Sequence, residues 1–194
     1  CTYVCPQNAI SRNDAVTGQW FVSRTQWGPM VHARLGIAEE NSGRLVAKVR
    51  QRDRELSLEC RQESLLNDGP PGTGCPVIAS VSGTDLVLIV TEPTVSGAHD
   101  MDRVLKLAAH FRVPALVVIN KADLNAEQAQ RITEIARAHH SEVIGRIPFD
   151  PHVNQALMAG KTVLAIDCPA TTAIRRIWQR VRDALLADAP APTT

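Results

Sequence analysis

Short apolar runs alternate with amphipathic segments along most of the chain, from residue 42 to residue 186. Continuous apolar runs bounded by polar turns are typical of strands buried on both faces, and apolar residues recurring every three or four positions indicate helices. The predicted strands cover 65–66, 86–90, 115–119, a strand that opens at 143–144, and 163–166. The predicted helices cover 42–59, with Ser42 as N-cap, then 96–112, 126–139, 151–159 and 171–186. This alternation predicts an α/β fold, with a mostly parallel sheet and helices on both faces.

Residues 19–35 carry a different pattern, that of two paired strands. Val31, Ala33 and Leu35 alternate with His32 and Arg34, the period-two signal of a half-buried strand. With 19–25 as the first arm and a turn at 26–29, the segment predicts a β-hairpin. We therefore divide the chain into residues 1–18, a hairpin connector at 19–36, an α/β domain at 37–187 and a flexible Ala/Pro/Thr tail at 188–194.

The composition excludes several classes of protein. The 194 residues carry a formal net charge of +1, which gives no electrostatic reason to expect a nucleic-acid or membrane partner. A hydrophobic fraction of 44% is enough for a packed core, and no apolar run reaches the roughly 18 residues of a membrane span. With no secretory signal in the sequence, we expect a cytoplasmic protein. Because the chain begins with Cys1, we also expect it to be the C-terminal part of a longer protein.

Polar segments follow the predicted strands at 68–72, 91–94, 120–123 and 148–150. In a parallel sheet the carboxyl ends of the strands meet at one edge, where ligands bind. Asp68 stands at the end of the predicted strand 65–66 and is followed by Gly69 and two prolines, which is typical of a Walker B-type carboxylate that orients the hydration shell of Mg²⁺. The alternative is an Asp that only caps a turn.

The segment Asn120-Lys121-Ala122-Asp123 fits the recognition of a nucleotide base. The Asn120 amide can bond a purine edge, the Lys121 stem can lie along the base, and Asp123 can accept from a base N–H. The alternative is a solvated loop that caps the next helix. The position after an apolar strand favours the nucleotide interpretation.

Two cysteines near the start have the spacing of an iron–sulfur motif. Three residues separate Cys1 from Cys5, and Pro6 follows, as at the end of a bacterial ferredoxin motif. A four-iron cluster needs four ligands, so the remaining ones would lie upstream, and the two cysteines would then ligate different clusters. The remaining cysteines, Cys60, Cys75 and Cys168, are scattered, and we interpret them as structural thiols.

The sequence contains one Gly-Lys pair, Gly160-Lys161, and it is not a phosphate-binding loop. Such a loop needs a glycine five positions earlier, where Gln155 stands, and it needs a strand before it and a helix after it. The predicted order here is a helix followed by a strand.

Taken together, these segments resemble the MinD/Mrp-type P-loop ATPases that carry an inserted ferredoxin domain. The resemblance covers residues 1 to about 167. The segments that carry it are 1–10, 40–46, 68–80, 91–97, His99-Asp100, 120–125 and 147–150.

The resemblance implies a P-loop NTPase-like sheet that binds ATP and Mg²⁺, in a protein that forms a homodimer. Asp68 would take the Walker B role, holding Mg²⁺ through water, and Asn120 would face adenine. The phosphate-sensing switch would be formed by Gly69, Pro70, Pro71 and Gly72. The loop 147–150, which contains Pro148, would close over the base, and Lys121 and Asp123 would complete the set of nucleotide-binding residues. Residues 1–18 would be the remnant of an insert that holds two four-iron four-sulfur clusters, with Cys1 and Cys5 among their ligands.

We therefore expect an ATPase that couples ATP hydrolysis to redox or cluster handling for a client protein. The Walker A loop and the first, P-loop strand would lie upstream of Cys1, so this chain alone is expected to be inactive, marginally stable and without a complete catalytic set. Two departures from the family lie beside the Walker B position, the polar run 62–64 and Asn67. The alternatives are a GTPase that reads guanine with Asn120 and Asp123, and a non-catalytic electron-transfer or scaffold protein.

Overall fold

A computed structural model describes residues 2–7, 9, 11, 16, 18–37 and 43–187. They fall into two compact units, Cys1–Asp68 and Gly69–Thr194. Cys1, the predicted N-cap Ser42 and the predicted tail at 188–194 lie outside the described residues. None of the helices in the described ranges has the length and apolar character that crossing a bilayer requires.

The first unit contains the predicted hairpin. Strand β1 (Gly18–Thr25) pairs antiparallel with β2 (Gly28–Leu35) across a two-residue turn. The Thr25 hydroxyl stabilises this turn, because it accepts from the Trp27 N–H at 3.1 Å and donates to the Gly28 carbonyl at 2.8 Å. Helix α1 (Gly43–Glu59) follows and packs against β2, with Leu56 as its buried residue.

The second unit is a three-stranded parallel sheet with helices between its strands. The sheet order is β3 (Val87–Thr91), β4 (Ala115–Asn120) and β5 (Glu142–Ile147). The helices are α2 (Cys75–Val81), α3 (Val95–His110), α4 (Ala126–Ala138), α5 (Pro151–Met158) and α6 (Pro169–Ala187).

Both faces of this sheet are covered, as the continuous apolar strands predict. Val117 and Ile119 of β4 belong to one buried cluster with residues of α3 and α4, among them Met101 and Ile132. Val118, between them, faces the other way and packs with Ile177 of α6. Successive side chains of a strand point to opposite faces, so a helix on each side is needed to bury all three. The α/β prediction is confirmed.

Two predicted strands are wrong. Residues 62–74 form neither strand nor helix, and Leu66 is 86% exposed. The polar run 62–64 and Asn67 leave only two apolar residues in sequence there, too few for a strand buried on both faces. The predicted strand at 163–166 is instead a 3-10 turn, Val163–Ala165, whose Val163 carbonyl accepts from the Thr171 hydroxyl at 2.8 Å. A short apolar run does not by itself distinguish these two outcomes.

Helix α2 was not predicted. It begins after Gly74 with Pro76 in its first turn, and it buries Val77 and Val81 at helical spacing. Proline is favoured at the first positions of a helix because its missing N–H has no intrahelical partner there. Pro76 was thus the available sequence signal for this helix.

Candidate nucleotide-binding site

The carboxyl ends of three parallel strands lie at one edge of the sheet. The register pairs Thr91 with Ile119 and Asn120 with Ile147, so β3, β4 and β5 end at similar heights. The polar segments that follow the strands are therefore brought together. The sequence predicts that Asn120, Lys121, Asp123 and Pro148 lie at one edge of the sheet, and the second unit places the loops that carry them at that edge.

An ion pair joins the loops after β3 and β4. The Lys121 ammonium lies 2.7 Å from a Glu92 carboxylate oxygen, and the two side chains are 39% and 45% exposed. A solvent-facing pair of this kind adds little stability, so its main effect is to hold the lysine over the strand ends. Lys121 itself has a φ of 52°, the left-handed region, which turns the chain sharply at the end of β4.

A second pair of bonds joins the loops after β4 and β5. The Phe149 N–H donates to the Asp123 carboxylate at 2.6 Å, and the Ala122 N–H donates to the Ile147 carbonyl at 2.9 Å. The Phe149 ring is 46% exposed beside these contacts. Sequence reasoning did not single out Glu92 or Phe149, because neither contact can be read from spacing alone.

The helices that leave this edge begin at side-chain caps. Thr94 accepts from the Gly97 N–H at 2.9 Å at the start of α3, and Asn125 accepts from the Gln128 N–H at 3.0 Å at the start of α4. Gly97 also has a packing role. A Cβ added there would lie 2.5 Å from the Glu92 carbonyl oxygen, so only glycine lets α3 begin this close to the end of β3.

The other predicted site residues belong to the segment before α2 and to the start of the chain. Asp68 is exposed and ends the first unit, while Gly69, Pro71 and Gly72 are exposed and Pro70 is partly buried at the start of the second. Gly72 has a φ of 89°, a conformation that favours glycine. Cys5 is partly buried, and its proposed partner Cys1 lies outside the described residues.

Asp150 is a buried carboxylate that sequence reasoning assigned only to the loop after β5. It caps α5 by accepting from the His152 N–H at 3.0 Å, and it accepts from the Ala170 N–H at 3.2 Å. These two backbone donors and the His152 imidazole hold the pKa of Asp150 well below its usual range, against the effect of burial. The carboxylate is therefore ionised throughout the physiological pH range.

The fold is that of a P-loop NTPase-like α/β domain, and solved structures with this fold are known. The chain superposes on the MinD cell division protein of Aquifex aeolicus with a TM-score of 0.62 and 21% identity, covering 89% of this chain and 71% of that one. Its TM-score against the septum site-determining protein MinD of Pyrococcus horikoshii, complexed with Mg-ADP, is 0.60 at 16% identity, covering 77% and 60%.

Curated proteins extend the similarity to sequence, although no family model matches the chain. An uncharacterised protein of Methanocaldococcus jannaschii is 29% identical over 156 residues, which is 80% of this chain and 51% of that protein. The iron–sulfur cluster carrier protein of the same organism is 26% identical over 130 residues, 60% of this chain and 45% of the carrier. Septum site-determining protein MinD of Helicobacter pylori is 29% identical over 136 residues, 64% and 51%.

The chain spans about half the length of these curated relatives. The fold and the relatives together support the resemblance to MinD/ParA-type P-loop ATPases. The similarity to the iron–sulfur carrier is more distant and covers less of this chain.

Proposed function

We propose that this chain is part of a MinD/ParA-type ATPase and that it binds the base of ATP at the carboxyl edge of its sheet. One observation carries the proposal: three strand-end loops are joined there through Lys121–Glu92 and Asp123–Phe149. Such a prearranged polar edge is where doubly wound sheets bind nucleotides. The MinD of Pyrococcus horikoshii, which shares the fold, is a complex with Mg-ADP.

The Asp123 carboxylate is fixed beside the proposed base site, because its Oδ1 accepts from the Phe149 N–H at 2.6 Å. A carboxylate has about four lone-pair sites, so Asp123 can keep this bond and still accept from a base N–H. In this proposal Asn120 bonds the adenine edge, the Lys121 stem lies along the ring, and the loop with Pro148 and Phe149 closes the site. The GTPase alternative uses the same residues, with Asn120 and Asp123 bonded to guanine.

In this proposal Asp68 and the glycines after it would interact with the phosphates of ATP and their Mg²⁺. Asp68 is an exposed carboxylate, which suits an outer-sphere ligand of Mg²⁺, a cation that keeps several of its waters. Bound Mg²⁺ neutralises charge on the phosphates. The exposed backbone at Gly69 and Gly72 leaves N–H groups accessible to a phosphate. We further propose that turnover requires a Walker A loop, as the family resemblance implies.

The coupling to iron–sulfur chemistry rests on the Cys1-x3-Cys5-Pro6 spacing and on the similarity to the iron–sulfur cluster carrier protein. Cys5 is the member of this pair within the described residues, and its partial burial fits a cluster ligand. Clusters bound there would supply electrons or be passed to a client. A homodimer, a cytoplasmic location and a redox or cluster-accepting client protein belong to the same proposal.

Titration calorimetry with Mg-ATP and Mg-GTP, on the protein expressed from its complete gene, tests the nucleotide assignment. ATP should bind more tightly than GTP. Asn120→Ala should weaken ATP binding by roughly tenfold, the loss of one base hydrogen bond worth about 1.4 kcal/mol. Asn154→Ala, an exposed change on α5, is the matched control and should leave binding unchanged. A preference for GTP would favour the GTPase, and no binding of either nucleotide would favour the scaffold alternative.

Turnover tests the role of Asp68 separately. Asp68→Asn should reduce Mg²⁺-dependent ATP hydrolysis while ATP binding persists, because the variant loses the charge that orients the Mg²⁺ hydration shell. The exposed Asp85→Asn is the control with the same change of charge. Equal rates of hydrolysis in Asp68→Asn and wild type would show that Asp68 has no role in turnover.

A further inference from the structure

Three side chains of different chemistry meet where α5 and α6 begin. One ligand atom from each of Asp150, His152 and Cys168 lies within 4.8 Å of the others. Asp150 is the N-cap of α5, His152 lies in the first turn of that helix, and Cys168 immediately precedes α6. Sixteen residues or more separate the cysteine from the other two along the chain, so the fold and not local sequence brings them together.

The cluster is closed on the inside and open at one side. Asp150 is 6% exposed and Cys168 is also 6% exposed, whereas the His152 side chain is 48% exposed. The imidazole is therefore the ligand of the three that faces solvent.

The three kinds of ligand atom, sulfur, imidazole nitrogen and carboxylate oxygen, favour some cations over others. A thiolate, an imidazole and a carboxylate are the three ligand types of protein zinc sites, and three protein ligands leave a fourth position for water. Mg²⁺ and Ca²⁺ prefer oxygen donors, so the sulfur and the imidazole argue against them. We propose that Asp150, His152 and Cys168 form a binding site for a zinc-class divalent cation, with its fourth position open to solvent. This site adjoins the proposed nucleotide site, since Asp150 follows Phe149 in the loop after β5, but it does not depend on the nucleotide proposal.

The distance between Asp150 and His152 is compatible with coordination after a small opening. His152 Nδ1 lies 2.7 Å from an Asp150 oxygen, a hydrogen-bond distance. Ligand atoms bound at about 2.1 Å in a tetrahedron lie roughly 3.4 Å apart, so the ion replaces this bond and moves the two groups apart by less than about 1 Å. The exposed imidazole can make this adjustment because its end faces solvent.

Metal binding changes where the protons of the cluster lie. The thiol proton of Cys168 has two hydrogen-bond partners in reach, Thr171 Oγ1 at 3.4 Å and the Asp150 carboxylate. Coordination releases that proton to solvent and leaves a thiolate on the ion. In the metal-bound form His152 coordinates through Nδ1, so its remaining proton lies on Nε2.

The N-termini of α5 and α6 both lie at the cluster, and each contributes an effective charge of about +0.5, which opposes a bound cation. The compensating negative charge would come from the Asp150 carboxylate, which accepts from the His152 and Ala170 N–H groups, and from the thiolate that coordination forms at Cys168. The Ala170 bond uses Oδ2 and holds the carboxylate in place for coordination through Oδ1.

Cobalt(II) is a spectroscopic probe for this site. Titration of the reduced, metal-free 194-residue chain with Co²⁺ should produce a thiolate-to-cobalt charge-transfer band and the visible bands of a four-coordinate ion, and added Zn²⁺ should remove them. Cys168→Ser should abolish the charge-transfer band. His152→Ala should weaken Co²⁺ binding by more than about tenfold, because even outer-shell changes at metal sites cost that much.

Matched controls separate this site from other thiols and imidazoles. Cys75→Ser and His99→Ala change exposed residues elsewhere in the second unit, and both variants should bind Co²⁺ like wild type. The proposal is overturned if the band survives Cys168→Ser, if it disappears in Cys5→Ser, or if wild type binds no Co²⁺. If Cys168→Ser does not fold, as judged by circular dichroism, His152→Ala decides, because its side chain is half exposed and folding should tolerate its loss.

Discussion

The Asp123 carboxylate accepts a hydrogen bond from the Phe149 N–H at 2.6 Å, across 26 residues of sequence. This bond joins the loop after β4 to the loop after β5. The loops are thus held together in the protein itself, before any ligand contributes. A binding edge prepared in this way loses less conformational entropy when a ligand arrives.

Replacing Asp123 should loosen this edge. Asp123→Ala removes the acceptor from the Phe149 N–H, and we expect the free energy of unfolding to fall by about 1 kcal/mol, the net value of one exposed hydrogen bond. Asp123→Asn keeps an acceptor oxygen and should recover part of the loss. Urea denaturation measures both, with the exposed Asp85→Ala as control. Equal stability of Asp123→Ala and wild type would show that the bond contributes nothing to folding.

Gly145 marks the closest approach of β5 to α6. A Cβ added there would overlap Ile177 Cγ1 and lie 2.7 Å from its Cδ1. Gly145→Ala should therefore cost about 1–3 kcal/mol of unfolding free energy through overpacking. Gly74→Ala is the control, because its Cβ would have an ordinary contact of 3.6 Å.

A double-mutant cycle tests the cause of that loss. If Ile177 is the clashing partner, Gly145→Ala combined with Ile177→Ala should cost less than the sum of the two single changes, since the new methyl group fills part of the space that Ile177 leaves. Additive costs would mean that the strain at Gly145 arises elsewhere.

Asp150 should make stability depend on pH in the acid range. Its pKa is lower in the folded protein than in the unfolded chain, so folding favours the ionised form. Its contribution is fully present above the unfolded value of about 4 and is lost progressively as the pH falls below it. Denaturation of wild type and Asp150→Asn between neutral pH and pH about 3 measures this. The difference in unfolding free energy should shrink on acidification, and a constant difference would contradict the assignment.

The outer strand β3 should make the isolated chain prone to association. Within the described residues β3 is the first strand of the sheet, and its Leu88 and Val90 side chains are 39% and 59% exposed. Exposed apolar edge strands pair with other chains, and an edge lysine suppresses this. Val90→Lys should reduce association in sedimentation and light scattering. Val95→Lys, at an exposed position of α3, should not.

The sequence predicts most of the helices and strands because the spacing of apolar residues shows whether a segment is buried on one face or on two. The helix 126–139 and the strand 115–119 match α4 and β4 to within one residue, since each has both a clear period and polar boundaries. The errors lie where the apolar run is short. A strand forms only when a neighbouring strand supplies its hydrogen bonds. At 65–66 and 163–166 the short apolar run does not show whether such a neighbour exists.

The candidate site was predictable only in outline. Asn120, Lys121 and Pro148 could be grouped because parallel strands end at one edge, a property of topology. The partners Glu92 and Phe149 could not, since each contact depends on the path of a loop. Cys168 was assigned as a structural thiol for a similar reason, because its proximity to His152 follows from how α5 and α6 are packed and not from any spacing.

The burial of strand β4 determines how readily its backbone hydrogen bonds open to solvent. It is hydrogen-bonded on both sides, and Val117, Val118 and Ile119 are at most 1% exposed. Its amide protons can exchange with deuterated solvent only when the sheet itself separates, whereas the solvent-exposed loop beyond Asn120 can open on its own. Exchange rates should therefore rise steeply across the few residues between Ile119 and Asp123. The most rigid part of the second unit thus ends within a few residues of the groups that we propose bind the nucleotide.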